Sequence, residues 1–145
     1  MLVQEILKSK AGSGVVTVSL FASVAEAAKV MADNRFGTVV VSADGEYPDG
    51  ILSERDIVRE LAKDGAGCLT EPVSGYMTKE LVTCTSQSNV GEVLQQMTDG
   101  RFRHMPVVED DGKLIGIITL GDAVKAQLAQ VAMEKDALQD MIMGH

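Results

Sequence analysis

The sequence predicts an α/β fold in which two tandem βαββα repeats pack with pseudo-two-fold symmetry and are followed by a long C-terminal helix. Three observations predict this fold. The chain matches itself when it is shifted by 66 positions, short apolar strands alternate with helical periodicity in both copies, and the last helical pattern runs from Leu120 to about Ile142. We therefore expect two domains, 1–66 and 67–145, with the boundary in the link Gly65–Ser74.

The repeat holds without a gap from position 16 to about 59 of the first copy. Identical residues stand at equivalent positions, and they include the pairs Thr17 and Thr83, Met31 and Met97, Arg35 and Arg101, Phe36 and Phe102, Gly50 and Gly116, and Asp56 and Asp122. Agreement at so many positions in one register is not expected by chance, so we interpret the chain as a duplicated unit.

Each copy shows the same order of elements. Apolar runs predict strands, the spacing of Val24, Ala27 and Met31 predicts a helix, and Ser23 is a suitable N-cap. The first copy has the predicted strands Val15–Val18, Gly37–Ser42 and Gly50–Leu52, the helices Ser23–Asn34 and Ser53 to about Lys63, and a turn at Asp44-Gly45. The second has the strands Leu81–Cys84, His104–Glu109 and Lys113–Ile118, the helix Asn89–Thr98, a turn at Asp110–Gly112 and the long helix from Leu120.

Composition narrows the classes of function. Only 3% of the residues are aromatic and none is Trp, so few side chains are available for stacking on single-stranded nucleic acid. The net charge of −8 repels nucleic acid and anionic membranes. Cys68 and Cys84 stand far apart, without the spacing of a zinc site. With neither a signal peptide nor a long apolar run, we expect a cytoplasmic protein with no nucleic-acid, membrane or metal partner.

Two equivalent motifs place a hydroxyl residue at the end of a strand and an aspartate three positions later, Ser53 with Asp56 and Thr119 with Asp122. One interpretation is a capping box at the start of a helix. The other is a binding site, because a helix N-terminus attracts phosphate and a carboxylate accepts the two hydrogen bonds of a sugar diol. The residues alone leave both interpretations open.

The segment Arg101–Pro106 is a concentrated basic cluster in this acidic chain. Cations at the end of a helix are one explanation, because they suit the negative end of the helix dipole. Phosphate binding is the interpretation that we favour, because Arg101 and Arg103 offer planar guanidinium forks that match phosphate oxygens, with His104 beside them.

The two Ser/Thr-x-x-Asp motifs and the Arg-His-Met-Pro-Val-Val segment at 103–108 together resemble the cystathionine-β-synthase (CBS) domain family. The resemblance covers about positions 3 to 127 and identifies a stand-alone CBS pair. It implies the βαββα pair derived above and a bound adenosyl ligand such as AMP, ADP, ATP, NAD or S-adenosylmethionine.

The resemblance also implies roles for individual residues. Asp56 and Asp122 would hold ribose hydroxyls, and Ser53 and Thr119 would lie beside the ribose or phosphate. Strand ends would enclose the adenine, and they are Thr17, Val18, Thr38, Val39, Thr83, Cys84, Met105 and Pro106.

The phosphate end of the site differs between the copies. Arg103 and His104 would reach the phosphate of the ligand whose ribose lies on Asp56, and Arg55 and Arg101 complete the candidate ligand-binding residues. The first copy has Gly and Thr where the second has Arg and His, so the other cleft lacks this cationic partner. We therefore expect the Asp56 site to bind phosphate more strongly.

We expect a regulatory module that senses an adenine nucleotide, with AMP first and NAD or ATP as alternatives. No nucleophile–base pair or Walker loop is present, so we expect neither catalysis nor a catalytic cofactor. The alternative is a ligand-free protein–protein interaction module that regulates a partner enzyme or transporter. The downstream protein is not specified. A homodimer is expected from the apolar stripe of Val124, Leu128, Val131, Leu138 and Ile142.

Overall fold

The computed structural model describes residues 1–10 and 15–144, and its element order confirms the tandem α/β fold. Residues 11–14 and 145 of the two expected domains lie outside the described residues. After α1 (Val3–Ser9), the first copy contains β1 (Thr17–Val18), α2 (Val24–Asn34), β2 (Thr38–Val41), β3 (Gly50–Ser53) and α3 (Glu54–Asp64). Two short 3-10 helices follow, Gly65–Thr70 and Val73–Gly75. The second copy contains α4 (Val90–Gly100), β4 (His104–Val108), β5 (Leu114–Thr119) and α5 (Leu120–Ile142).

The first helix of each copy begins and ends in the same way. Ser23 Oγ accepts a hydrogen bond from the Glu26 amide, and Asn89 Oδ1 does the same near the start of α4. Both helices then end at an arginine in the left-handed region, Arg35 and Arg101, each with φ of 57°. The equal caps direct the chain into β2 and β4 along equivalent paths.

The sheets of the two copies differ. In the first, β2 pairs in parallel with β1 and antiparallel with β3. In the second, β4 and β5 pair antiparallel, and the predicted strand Leu81–Cys84 is wrong, because only Cys84 forms a bridge, to Val107. The physical reason is Pro106, which occupies the position of Val40 in the first copy and has no N–H to donate to the neighbouring segment.

The first strand is also shorter than predicted. It begins at Thr17 rather than at Val15. Val15 and Val16 instead line a cavity between the two copies, which is described below. An apolar run in this position therefore contributes to a cleft wall as well as to a sheet.

The N-terminal segment packs on the second copy through α1, a helix that the sequence analysis missed. The Val3 amide donates to the Ser88 carbonyl at 2.9 Å. The Val90 amide, at the start of α4, donates to the Met1 carbonyl at 3.0 Å. Val3 and Ile6 are buried in the core of the second copy. The second copy is thus completed by residues that precede the first.

The link between the copies makes the equivalent contacts with the first copy. The Val73 amide donates to the Ala22 carbonyl at 2.8 Å, and the Val24 amide donates to the Glu71 carbonyl at 3.0 Å. Glu71 therefore corresponds to Met1, so equivalent residues of the two segments are 70 positions apart. The link, which was predicted only as a boundary, is a packed part of the first copy.

The close approach of these segments explains two equivalent glycines. A Cβ at Gly50 of β3 would collide with the Met77 side chain, and a Cβ at Gly116 of β5 would collide with the Leu7 side chain. Met77 and Leu7 are again 70 positions apart. The correspondence between the two segments therefore extends through most of α1.

Each copy has its own hydrophobic core. The first core contains Val18, Val24, Ala27, Met31, Val39, Val41, Leu52, Ile57 and Val73. The second contains Val3, Ile6, Cys84, Val90, Val93, Met97, Met105, Val107, Ile118 and Ala123. Both cores take at least one residue from a segment that precedes the other copy, so neither copy is self-sufficient.

Helix α5 is the longest helix, with 23 residues, and much of it lies outside the core. Leu128, Leu138 and Ile142 are 65%, 58% and 84% exposed. Within the described part of the chain, no helix, α5 included, combines the length and apolarity needed to cross a membrane. Helix α5 therefore presents apolar side chains at the surface of the protein.

The segment that precedes each copy packs on the other copy, and we call this the exchange of segments. It predicts that Val3→Ala destabilises the protein by about 2 kcal/mol, because the change removes two buried methyl groups and leaves a cavity. Urea unfolding would measure the loss. Lys8→Ala, an exposed change in the same helix, should stay within about 0.5 kcal/mol of the wild type. Equal stability of Val3→Ala and Lys8→Ala would contradict the exchange.

Candidate functional site

A cavity of about 580 Å³ lies between the two copies, and we call it the first cleft. Its walls are the ends of β3 and β5, the first turns of α3 and α5, the segment 101–104 and the segment 78–82. Strand ends and helix N-termini of both copies thus meet in one space. This placement follows from the duplicated fold, because equivalent loops face each other across a pseudo-two-fold axis.

The hydroxyl-x-x-aspartate motifs form the two capping boxes that one interpretation predicted. The Asp56 amide donates to Ser53 Oγ at 3.1 Å, and the Ser53 amide donates to Asp56 Oδ2 at 2.9 Å. Thr119 and Asp122 make the same pair of bonds, both at 3.0 Å. Asp56 Oδ1 has one long contact, 3.4 Å to Nη1 of the exposed Arg59. This oxygen therefore remains accessible to a ligand hydroxyl.

Two helix N-termini open into the first cleft. The first amide of α3 donates to the Gly37 carbonyl at 2.9 Å, and the first amide of α5 donates to the Arg103 carbonyl at 2.7 Å. The third amide of each helix is bonded to its capping hydroxyl. The second amides, those of Arg55 and Gly121, have no partner among the described residues. Two N–H groups at positive helix ends are therefore available to an anion.

The first cleft concentrates positive charge. Of the 13 Lys and Arg residues of the chain, four arginines line it, and they are Arg55, Arg59, Arg101 and Arg103. The acidic side chains on the same wall are Glu54, Asp56 and Glu80. In a protein with a net charge of −8, this grouping favours an anionic ligand with additional hydroxyl groups.

His104 lies at the boundary between the first cleft and a second cavity. Burial lowers the pKa of His104 below its ordinary value of 6.5, and the positive charges of Lys10 and Arg103 lower it further, whereas Glu54 acts in the opposite direction. The imidazole is therefore largely neutral at pH 7. A neutral imidazole donates one hydrogen bond and accepts another.

The second cavity measures about 210 Å³ and lies beside the capping box of the second copy, and we call it the second cleft. Lys10 lines it, with Nζ 2.8 Å from Asp122 Oδ2 and 3.0 Å from the Ile117 carbonyl oxygen. Burial raises the pKa of Asp122, but hydrogen bonds from Lys10 and the Thr119 amide outweigh burial and hold it below 3.8. The second cleft has Gly37 and Thr38 in place of the Arg-His pair, and the N-terminal segment brings a different cation, Lys10, from outside the repeat.

Nine of the sixteen predicted ligand-binding residues line the first cleft, and they are Thr38, Ser53, Arg55, Asp56, Arg101, Arg103, His104, Pro106 and Thr119. Asp122 lies beside the second cleft. Four side chains are buried in the two cores, and they are Val18, Val39, Cys84 and Met105. Thr17 and Thr83 lie outside both clefts as the described residues define them. The alternation of side chains along strands explains this division, because neighbours point to opposite faces.

The first cleft also has an apolar wall, which the sequence did not predict. It consists of Ile51, Leu81, Val82 and Phe102. The sequence predicts a strand at Leu81 and Val82, directly before the predicted adenine-binding Thr83. Val82 is 44% exposed beside the half-buried Leu81, and a partly exposed apolar pair on the wall of a cavity points to a binding surface.

The structure offers little metal or thiol chemistry near the clefts. Within the described ranges, no group of three or more His, Cys, Asp or Glu side chains is arranged to hold a metal ion. Burial raises the pKa of Cys84 to about 11, so its thiol stays protonated at neutral pH.

The family description that matches the chain is the CBS domain, which it matches twice, at residues 3–63 and 73–129. A mitochondrial CBS domain-containing protein of Arabidopsis thaliana is 36% identical over 126 residues. That match covers 84% of this chain and 61% of the plant protein. The chain thus spans about three-fifths of the length of this curated relative.

Solved structures resemble the chain over a larger share of their length. A CBS-domain containing protein from Agrobacterium tumefaciens is 44% identical with a TM-score of 0.81, covering 88% of this chain and 99% of that one. A CBS domain protein from Pyrobaculum aerophilum, complexed with AMP, is 26% identical with a TM-score of 0.76, covering 90% and 99%.

The surroundings of His104 predict a pH dependence of stability. Because its folded pKa lies below its unfolded value of about 6.5, the unfolded state binds more protons in this range. The stability associated with neutral His104 is present above pH 6.5 and is lost as the pH falls toward the folded pKa.

NMR titration of the His104 ring should therefore give a midpoint below 6.5. In His104→Gln, the loss of stability between pH 7 and the folded pKa should shrink. A midpoint at or above 6.5 would contradict the geometry of this site.

Proposed function

The chain belongs to the CBS-domain family, and from that premise we propose that it is a regulatory module that binds an adenine nucleotide, with AMP as the first candidate, in its first cleft. The observation that carries the proposal is the combination of four arginines, two helix amides without a partner among the described residues, and the Asp56 carboxylate around one cavity. The cavity volume of about 580 Å³ lies within the range of roughly 300–1,000 Å³ that is typical of small-molecule sites.

The three parts of a nucleotide match three parts of the wall. Ribose hydroxyls would donate to Asp56 Oδ1, the atom that the capping box leaves accessible. Phosphate would lie against Arg103, His104 and the Gly121 amide. Adenine would pack on the apolar residues, which are Ile51, Leu81, Val82 and Pro106. The AMP complex of the Pyrobaculum aerophilum protein supports this assignment at the level of a related CBS pair.

We place AMP before NAD and ATP because the cations around His104 suit one phosphate group. NAD contains the same adenosine monophosphate unit, so the described wall accommodates that half of it as well. A phosphate beside His104 would also favour the protonated imidazole, since an adjacent negative charge raises a histidine pKa. Binding would then be stronger at lower pH.

Signalling would follow from the position of the cleft. Its walls come from both copies, so a ligand that contacts both changes the free energy of one relative arrangement more than another. The module would act by this rearrangement and not by catalysis. Its readout would be a protein that contacts the pair or its dimer.

We further propose that the chain forms a homodimer through α5. Val124, Leu128, Val131, Leu138 and Ile142 follow a heptad spacing, with Lys135 at the remaining position. All five apolar residues are at least 39% exposed. A second copy presents the same stripe, and a two-fold contact would bury both.

Thermal unfolding with AMP, ADP, ATP, NAD, S-adenosylmethionine and GMP tests the ligand. At 100 times its dissociation constant, a ligand stabilises by about 2.7 kcal/mol, which raises the midpoint by several degrees in a chain of this size. We expect adenine nucleotides to give this shift and GMP not to. Asp56→Ala should abolish the AMP shift, while Asp122→Ala retains it. The reverse pattern, or no shift in nucleotide-free protein, would contradict the proposal.

Light scattering after size-exclusion chromatography tests the dimer. The wild type should have twice the 15.4 kDa chain mass. Leu138→Glu should give the monomer, because it places a charge in the stripe. Gln139→Glu, which adds the same charge one position away, should remain dimeric. A monomeric wild type, or equal dissociation of both variants, would refute this interface.

A further inference from the structure

The two clefts are built from equivalent elements, but a lysine side chain from outside the repeats enters the second one. In the second cleft, Lys10 Nζ makes two hydrogen bonds, to Asp122 Oδ2 at 2.8 Å and to the Ile117 carbonyl at 3.0 Å. Asp122 is the counterpart of Asp56, and Ile117 is the counterpart of Ile51, which lines the first cleft. Lys10 thus bonds the same Asp122 oxygen that the capping box uses, and its side chain lines the second cleft beside that carboxylate.

The first cleft has an acid in the equivalent place. Residues of the two exchanged segments are 70 positions apart, as the pairs Met1 with Glu71 and Leu7 with Met77 show. The residue 70 positions after Lys10 is Glu80, which lines the first cleft and cannot pair with a carboxylate. This difference between the clefts comes from the segments that precede the repeats, and it adds to the difference between Arg103-His104 and Gly37-Thr38 within the repeats.

The volumes agree with this difference. The first cleft measures about 580 Å³ and the second about 210 Å³, below the roughly 300 Å³ at which small-molecule sites begin. Val15 and Val16 of the chain that follows α1 also line the smaller cavity. A nucleotide in the second cleft would have to displace Lys10.

We infer that Lys10 closes the second cleft, so that each chain binds one nucleotide and the sequence before the first repeat determines the stoichiometry. This inference rests on the proposed function and adds to it an internal competitor for one of two similar sites. Lys10 is partly exposed, with 36% of its side chain accessible, so a change at this position is compatible with the fold.

Isothermal titration with AMP tests the inference by stoichiometry. The wild type should bind one AMP per chain, and Lys10→Ala should bind two. Lys8→Ala, which removes an exposed lysine two positions earlier, in α1, that forms no ion pair with Asp122 among the described residues, should bind one. The double variant Lys10→Ala with Asp122→Asn should return to one, because it removes the negative charge and one of the two acceptor oxygens that a ribose diol would need in the opened cleft. Thermal unfolding of each variant would establish that it is folded.

The outcomes separate this inference from the proposed function. Two AMP per wild-type chain, or one per chain in both the wild type and Lys10→Ala, would overturn the role of Lys10 and leave the module a nucleotide binder. No AMP bound by any variant would overturn both. One in the wild type and two in Lys10→Ala, reduced to one by Asp122→Asn, is the result that the structure predicts.

Discussion

Neither copy covers its own sheet, and the exchange of the preceding segments supplies what each lacks. The hydrogen bonds from Val3 and Val73 to equivalent carbonyls at 2.9 and 2.8 Å attach each segment to the copy that it does not directly precede. Because Gly50 and Gly116 have no side chain, they leave room for the side chains of Met77 and Leu7 in this packing. A unit of about 50 residues buries little surface and is marginally stable alone, so the exchange joins the two copies into one packed unit.

The cleft follows from the same constraint. When two equivalent copies are held face to face, their strand ends and helix N-termini meet between them. The capping boxes at Ser53 and Thr119 fix the first residues of α3 and α5. They also leave the amides of Arg55 and Gly121, two residues that line the same cavity, without a partner among the described residues. Duplication produced two similar sites. Arg103 and His104 in one cleft and Lys10 in the other give them different chemistry.

Much of the fold was predictable because duplication doubles every local signal. The helices from Val24, Val90 and Leu120, and both capping boxes, appear where periodicity and cap residues place them. The failures have physical causes. The predicted strand Leu81–Cys84 does not form, because Pro106 in the neighbouring strand β4 has no N–H to donate to it. Helix α1 was not predicted, because its seven residues are too few to show a clear helical spacing of apolar residues.

The candidate site was predictable where the motif is local and less so where the fold brings distant residues together. Asp56, Arg103 and His104 share a cavity as the family resemblance implied. Lys10 could not be assigned to Asp122, because the contact spans 112 positions and depends on which copy α1 covers. The sequence predicts a strand at Leu81 and Val82, because two adjacent apolar residues have the same pattern in a sheet as in the wall of a ligand-binding cavity.

If the first cleft binds an adenine nucleotide through groups of both copies, an NMR titration of the labelled protein with AMP should show it, because amide shifts locate the ligand. We expect the largest changes at the amides of Arg55, Gly121 and His104, with saturation. Changes confined to the exposed half of α5, or no changes at millimolar AMP, would contradict it.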